Sequence, residues 1–86
     1  MIYFIATKDF QRVKIGFTIN TPESRLRQLA TGSPVELILI AVCDGDINTE
    51  KDLHQTFAKY RYNLEWFTFS EKILNFITDN DLIING

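Results

Sequence analysis

A nine-residue stretch, VELILIAVC (35–43), constrains this chain more than any other segment. It is mostly β-branched residues and leucine, it is closed by Asp-Gly-Asp, and it is well short of the ~20 apolar residues that a membrane helix needs. Such a run reads as the strongest strand of the chain, so other segments must pair with it.

Partners are present on both sides. IYFIA (2–6) is a second apolar run, and TKDFQ (7–11) has the length and polarity of a hairpin connection. In RVKIGFT (12–18), Val13, Ile15 and Phe17 alternate with Arg12, Lys14 and Gly16, which predicts a strand with one packed face. Thr21 then offers an N-cap hydroxyl, Pro22 suits the first helical position, and Glu23 suits the positive helix end. This helix is expected to bury Leu26, Leu29 and Ala30 and to stop at TGSP (31–34). Leu53, Phe57 and Tyr60 mark a second helix from about Asn48 to Tyr60. EWFTF (65–69) reads as a short strand, and Ser70 and Glu71 open a third helix with a stripe of Ile73, Leu74 and Ile77. The tail DLIING is expected to add a strand or to contact a partner. The fold class is therefore α+β: a small, mainly antiparallel sheet with flanking helices, in the order β-β-α-β-α-β-α, as one domain over residues 1–86.

Seven Phe, three Tyr and one Trp suffice to fill one compact interior. Cys43 is the sole cysteine, so no disulfide forms within a monomer; it ends an apolar run and reads as a buried thiol. MIYFIA is too short for a signal-peptide core and no run spans a bilayer, which makes cytoplasmic residence the default and membrane partners unexpected. The net charge of −2 argues against a generic nucleic-acid coat. Its distribution is uneven, however. Five cations face two acids in residues 1–31, and four face nine in the remainder, so one face can be basic while the chain is acidic overall.

Several residues sit awkwardly in a plain core. Glu50 shares a helical sector with Leu53, His54 and Phe57, where a carboxylate is desolvated unless the first turn stays wet. His54 lies one turn on, as a hydrogen-bonded core imidazole or as a base or ligand. With no other His and one Cys, a structural zinc is not expected. Arg25 flanks the buried stripe of its helix, whereas Arg27 points further toward water as a solvated or phosphate-tracking cation. Lys14 points off the packed strand face, and Tyr3 lies within an apolar run.

Taken in order, these residues resemble the GIY-YIG nuclease superfamily. MIY (1–3) stands where that superfamily has Gly-Ile-Tyr, and KIG (14–16) stands where it has Tyr-Ile-Gly. Arg25 follows on the first helix, and TEKDLHQTF (49–57) provides a helical glutamate at Glu50. KIGFT, RLRQLATGSP, E-x-x-x-H-x-x-F and EWF together are similar to a short stand-alone branch from phages and bacteria with KIG in place of YIG.

The resemblance implies a metal-dependent endonuclease that hydrolyses DNA phosphodiester bonds with one Mg²⁺ or Mn²⁺ ion. It implies Glu50 as metal ligand, Arg25 as the clamp on the scissile phosphate, and Tyr3 as the hydroxyl that positions or deprotonates water. That last task is expected to be eased by cations lowering the phenol's pKa. Lys14 replaces the second tyrosine, so the base falls to Tyr3, His54 or Lys14, with Lys14 favoured as a phosphate contact. Lys14, Arg25 and Arg27 are the expected nucleic-acid contacts. Asn63 and Glu65 compete for one further place in the site, and Trp66 is either core or a stacking surface for an unpaired base. Specificity is expected from TKDFQ, TGSP, a partner protein or a homodimer. The rivals are a nucleic-acid-binding module without turnover and a protein-interaction domain of the same fold.

Overall fold

Alternation decides the hairpin. Ile2–Thr7 (β1) and Arg12–Phe17 (β2) pair antiparallel, with Ile2 opposite Phe17, Tyr3 opposite Gly16 and Ile5 opposite Lys14. In the connection, the Thr7 hydroxyl donates to Asp9 at 2.7 Å and accepts from the Arg12 amide at 3.1 Å. The computed structural model describes residues 1–84; Asn85 and Gly86, the end of the DLIING tail, lie outside them.

Helix α1 (Pro22–Ala30) starts as expected, with the Thr21 hydroxyl accepting from the Ser24 amide and Pro22 at its first turn. Strand β3 (Leu37–Cys43) pairs antiparallel with the other edge of β1. Helix α2 (Ile47–Thr56) is capped by Asp46 in a reciprocal box with Thr49. Then come β4 (Arg61–Asn63), β5 (Trp66–Thr68) and α3 (Glu71–Asp79), whose Ser70 cap accepts from the Ile73 amide. The five strands form one antiparallel sheet in the order β3-β1-β2-β5-β4. This is the expected α+β class, compatible with the GIY-YIG-like fold though its strand order differs in detail.

The core lies on one face of the sheet. Ile2, Phe4, Val13, Ile15, Ala41 and Phe67 pack against Leu53 and Phe57 of α2 and Ile73 and Ile77 of α3. Phe76 joins them, its ring 6.2 Å from Phe4 and 5.7 Å from Phe57. Each of these side chains other than Ala41 contributes about 1.5–3 kcal/mol by leaving water.

Several local expectations are corrected. The single strand at 65–69 is a hairpin, because Leu64 adopts a left-handed φ of 52° and turns β4 back onto β5. Helix α2 stops at Thr56, and Ala58–Tyr60 form a 3₁₀ turn instead of its last turn. In α1 only Pro22 is buried; Leu26 and Leu29 are half-buried and Ala30 is exposed. Leu74 is 44% exposed, and Phe76 takes the inward place expected of it. Cys43 is only half-buried, and that burial pushes its thiol up, which disfavours a nucleophile. The tail does meet the sheet: the Ile84 amide donates to the Ile40 carbonyl of β3 at 3.0 Å. No helix among the described residues is long and apolar enough to cross a membrane.

Candidate active site

The pleat of β2 sends Val13 and Ile15 into the core and Lys14 and Gly16 to the opposite face, which α1 covers. Tyr3 sits directly across from Gly16 on that face. A Cβ on Gly16 would lie 2.3 Å from both Cζ and Oη of Tyr3, so the ring lies flat across the glycine. No side chain larger than hydrogen fits there, which is what glycine inside a strand signals. Tyr3 is 1% exposed, and its hydroxyl accepts from Arg25 Nε at 3.3 Å. Gln28, one turn further along α1, accepts from Arg25 Nη1 at 2.9 Å and fixes the guanidinium from its other side.

Lys14 is not the surface cation that strand alternation suggests. It is 7% exposed, and its ammonium donates to Glu65 Oε2 at 2.6 Å. The competition between Asn63 and Glu65 thus resolves geometrically: Glu65 turns into the cluster, while Asn63 is exposed on β4.

Helix α2 reaches the same place from the strand edge. Met1 and Thr18 exchange backbone bonds, so by antiparallel alternation the Ile15 and Phe17 backbone groups point away from β1, toward β5. The Ile15 amide finds the Glu65 carbonyl, but β5 pairs with β2 only over Arg12–Lys14. The remaining groups meet α2. His54 Nε2 donates to the Ile15 carbonyl at 2.8 Å, a partner that only accepts and so assigns the proton to Nε2. The Phe17 amide faces the Glu50 carboxylate. His54 also lies 5.1 Å from the Phe67 ring, which makes it a half-buried brace for the strand edge.

The two acids of this cluster are displaced in opposite directions. Glu50 is 8% exposed, and burial followed by the like charge of Glu65 pushes its pKa up, against the opposing pull of His54 and the Phe17 amide. Burial also acts to raise Glu65, but the hydrogen bond and charge of Lys14 outweigh it and hold that carboxyl below its ordinary value. Tyr3 moves opposite to expectation. Burial raises its pKa, and the Glu65 and Glu50 charges add to this, so the Arg25 contact does not lower it on balance.

Tyr3, Lys14, Arg25 and Glu50 therefore come together, with His54 adjoining. Arg27 is exposed and makes no side-chain hydrogen bond or ion pair among the described residues. The expected basic face is partly cancelled, since Lys14 pairs with Glu65 and Lys8 with Glu36. Gln28 escaped sequence reasoning altogether, having no signal beyond its i, i+3 spacing from Arg25. No group of three or more His, Cys, Asp or Glu disposed to hold a metal occurs among the described residues; the acids at this site are Glu50 and Glu65.

Comparison with known proteins adds one match. The T5orf172 domain matches residues 1–79, whereas no curated protein and no solved structure matches the chain. The match covers every side chain of the cluster. The chain belongs to the T5orf172 domain family, a phage-associated, nuclease-like family linked to nuclease and DNA-binding activity.

Proposed function

We propose that this domain is a metal-dependent endonuclease that hydrolyses DNA phosphodiester bonds by a GIY-YIG-type mechanism. The observation that supports it best is the Arg25 contact to the buried Tyr3 hydroxyl at 3.3 Å, beside a Glu50 carboxylate raised by burial and by Glu65. A tyrosine, an arginine and two acids from separate elements make a poor core but a suitable cradle for a phosphodiester.

Each side chain then has a task. Arg25, held on one side by Gln28, presents its remaining N–H groups to the scissile phosphate and stabilises the charge that builds there. Tyr3 keeps its proton at neutral pH, because its pKa is raised; it acts as a hydroxyl that orients the attacking water and not as a ready phenolate. Lys14 holds Glu65 in place and adds positive charge beside the path of the strand. His54 acts as a brace, since its Nε2–H is committed to Ile15.

The acids suit one hard divalent cation. Glu50 is desolvated and repelled by Glu65, and a cation at Glu50 relieves both penalties. Mg²⁺ prefers this kind of donor set, one or two carboxylates with waters completing its shell. Bound by Glu50, Mg²⁺ or Mn²⁺ would supply Lewis-acid stabilisation of the leaving oxygen.

Plasmid nicking tests the reading. Wild type is expected to nick with Mg²⁺ or Mn²⁺ and to stop in EDTA. Arg25→Ala and Glu50→Gln are each expected to fall at least ~100-fold, the scale of losing one stabilising contact in a transition state. Salt-sensitive binding without nicking would reduce the domain to a DNA-binding module.

A further inference from the structure

The face of the sheet that carries the cluster does not end at Lys14. Arg12 is the next residue of β2 on that face, and Trp66 stands directly opposite Lys14 on β5. The Lys14 ammonium lies 5.8 Å from the Trp66 ring and 2.6 Å from Glu65, so one side chain joins the cluster to what lies beyond. Beyond is a groove of about 490 Å³ lined by Trp66, Tyr62, Asn63 and Arg12 and by the Ser33–Val35 loop that follows α1.

Its chemistry is specific. The Arg12 guanidinium lies over the Tyr62 ring at 4.0 Å, a cation–π contact, and Tyr62 is 62% exposed. Trp66 is half-buried and open to the groove. No acid lines it. The Asn63 side chain makes no hydrogen bond among the described residues, which leaves an amide free to meet a polar edge. Flat aromatic and guanidinium surfaces, one cation and a free amide are the groups that hold an unpaired base and its phosphate. A base within a duplex has both faces covered by its neighbours and cannot use them.

We infer that this groove holds an unpaired base of the DNA strand whose phosphodiester lies at the Tyr3–Arg25 cluster, so that the domain acts on single-stranded or locally unpaired DNA. The inference deepens the proposed function and rests on it for the identity of the ligand. Trp66 supplies the stacking surface, Arg12 a phosphate or stacking contact, and Asn63 a contact to the base edge.

Trp66 is the sole tryptophan, so its fluorescence reports on this groove alone. The experiment titrates the protein in EDTA, where no cleavage occurs, with a thymidine strand of about eight nucleotides. The same length of abasic strand and a blunt duplex serve as comparisons. The thymidine strand is expected to quench the emission saturably, at least ~10-fold tighter than either comparison, and Tyr62→Ala and Arg12→Gln are each expected to weaken it by about 10-fold. No quenching, or equal quenching by the abasic strand or the duplex, overturns the inference. Selective quenching by a protein that with Mg²⁺ cuts neither plasmid nor the thymidine strand keeps the groove and removes the hydrolytic reading. Nicking without selective quenching does the reverse.

Discussion

The two faces of the central hairpin use the same strands in opposite ways. Toward α2 and α3, the side chains of Ile2, Phe4, Val13 and Ile15 join one apolar cluster with Leu53, Phe57, Ile73 and Ile77. Toward α1, the alternate residues Tyr3, Lys14 and Gly16 are just as buried, yet they form a tyrosine, an ammonium and a bare backbone under a helix that buries only Pro22. Burying polar groups in this way costs stability unless each finds a partner, and here each does: Arg25 for Tyr3, Glu65 for Lys14. The first face holds the domain together. The second uses that stability to hold partnered polar groups away from water.

The largest expected effect tests the first face. Phe4→Ala removes a ring packed against Phe76 and should cost about 3–5 kcal/mol, close to the whole stability of a small domain. Thermal melting should show a fall of tens of degrees or no folded state, whereas Arg25→Ala, which takes the partner from the Tyr3 hydroxyl, should cost only about 1–3 kcal/mol and leave a cooperative melt. Comparable losses from both would erase the distinction between the faces.

Gly16→Ala sharpens it from the other side. The new methyl collides with the Tyr3 ring, so the ring must leave its seat, at about 1–3 kcal/mol for overpacking. Nicking should fall with the displaced hydroxyl while the protein still folds. An alanine variant as active as wild type would mean that Tyr3's position is irrelevant.

Acid should reveal the smallest difference. The Glu65 pKa is lowered, so the stabilisation from Lys14 is fully present above its unfolded value near 4.5 and is lost as pH falls through the lower folded value. The Glu50 pKa is raised, so its penalty is present at neutral pH and is relieved as pH falls from its folded value toward 4.5. Melting temperature should therefore hold or rise slightly on mild acidification and drop only below about pH 4.5, and Lys14→Met should flatten the drop. Glu65 is partly exposed, so the contribution is screened to about 1 kcal/mol or less.

What sequence reasoning reached follows the same division. The apolar face was legible because burial imposes period: Ile2 and Phe4 of IYFIA, Val13 and Ile15 of RVKIGFT, and Leu53 and Phe57 all became core. Caps at Thr21 and Ser70 were legible because few side chains do that work. The β4–β5 hairpin was not, since a leucine in a left-handed turn carries no turn signature. In the cluster, Tyr3, Arg25 and Glu50 could be picked out only through a resemblance, because each alone has an ordinary explanation. Lys14 was misjudged and Glu65 was left open against Asn63: local alternation sends a lysine outward, and only a carboxylate 51 residues away makes burying it tolerable. Long-range pairing of that kind leaves no periodic trace.

The central claim is that Arg25 and Glu50, brought from separate helices, serve one reacting phosphate. A double-mutant cycle on plasmid nicking measures this directly, with Arg25→Ala, Glu50→Gln and the pair combined. The account predicts that the double variant is about as slow as the slower single, a coupling of at least ~1 kcal/mol. Losses that simply multiply, or a Glu50→Gln protein that nicks like wild type, would contradict it.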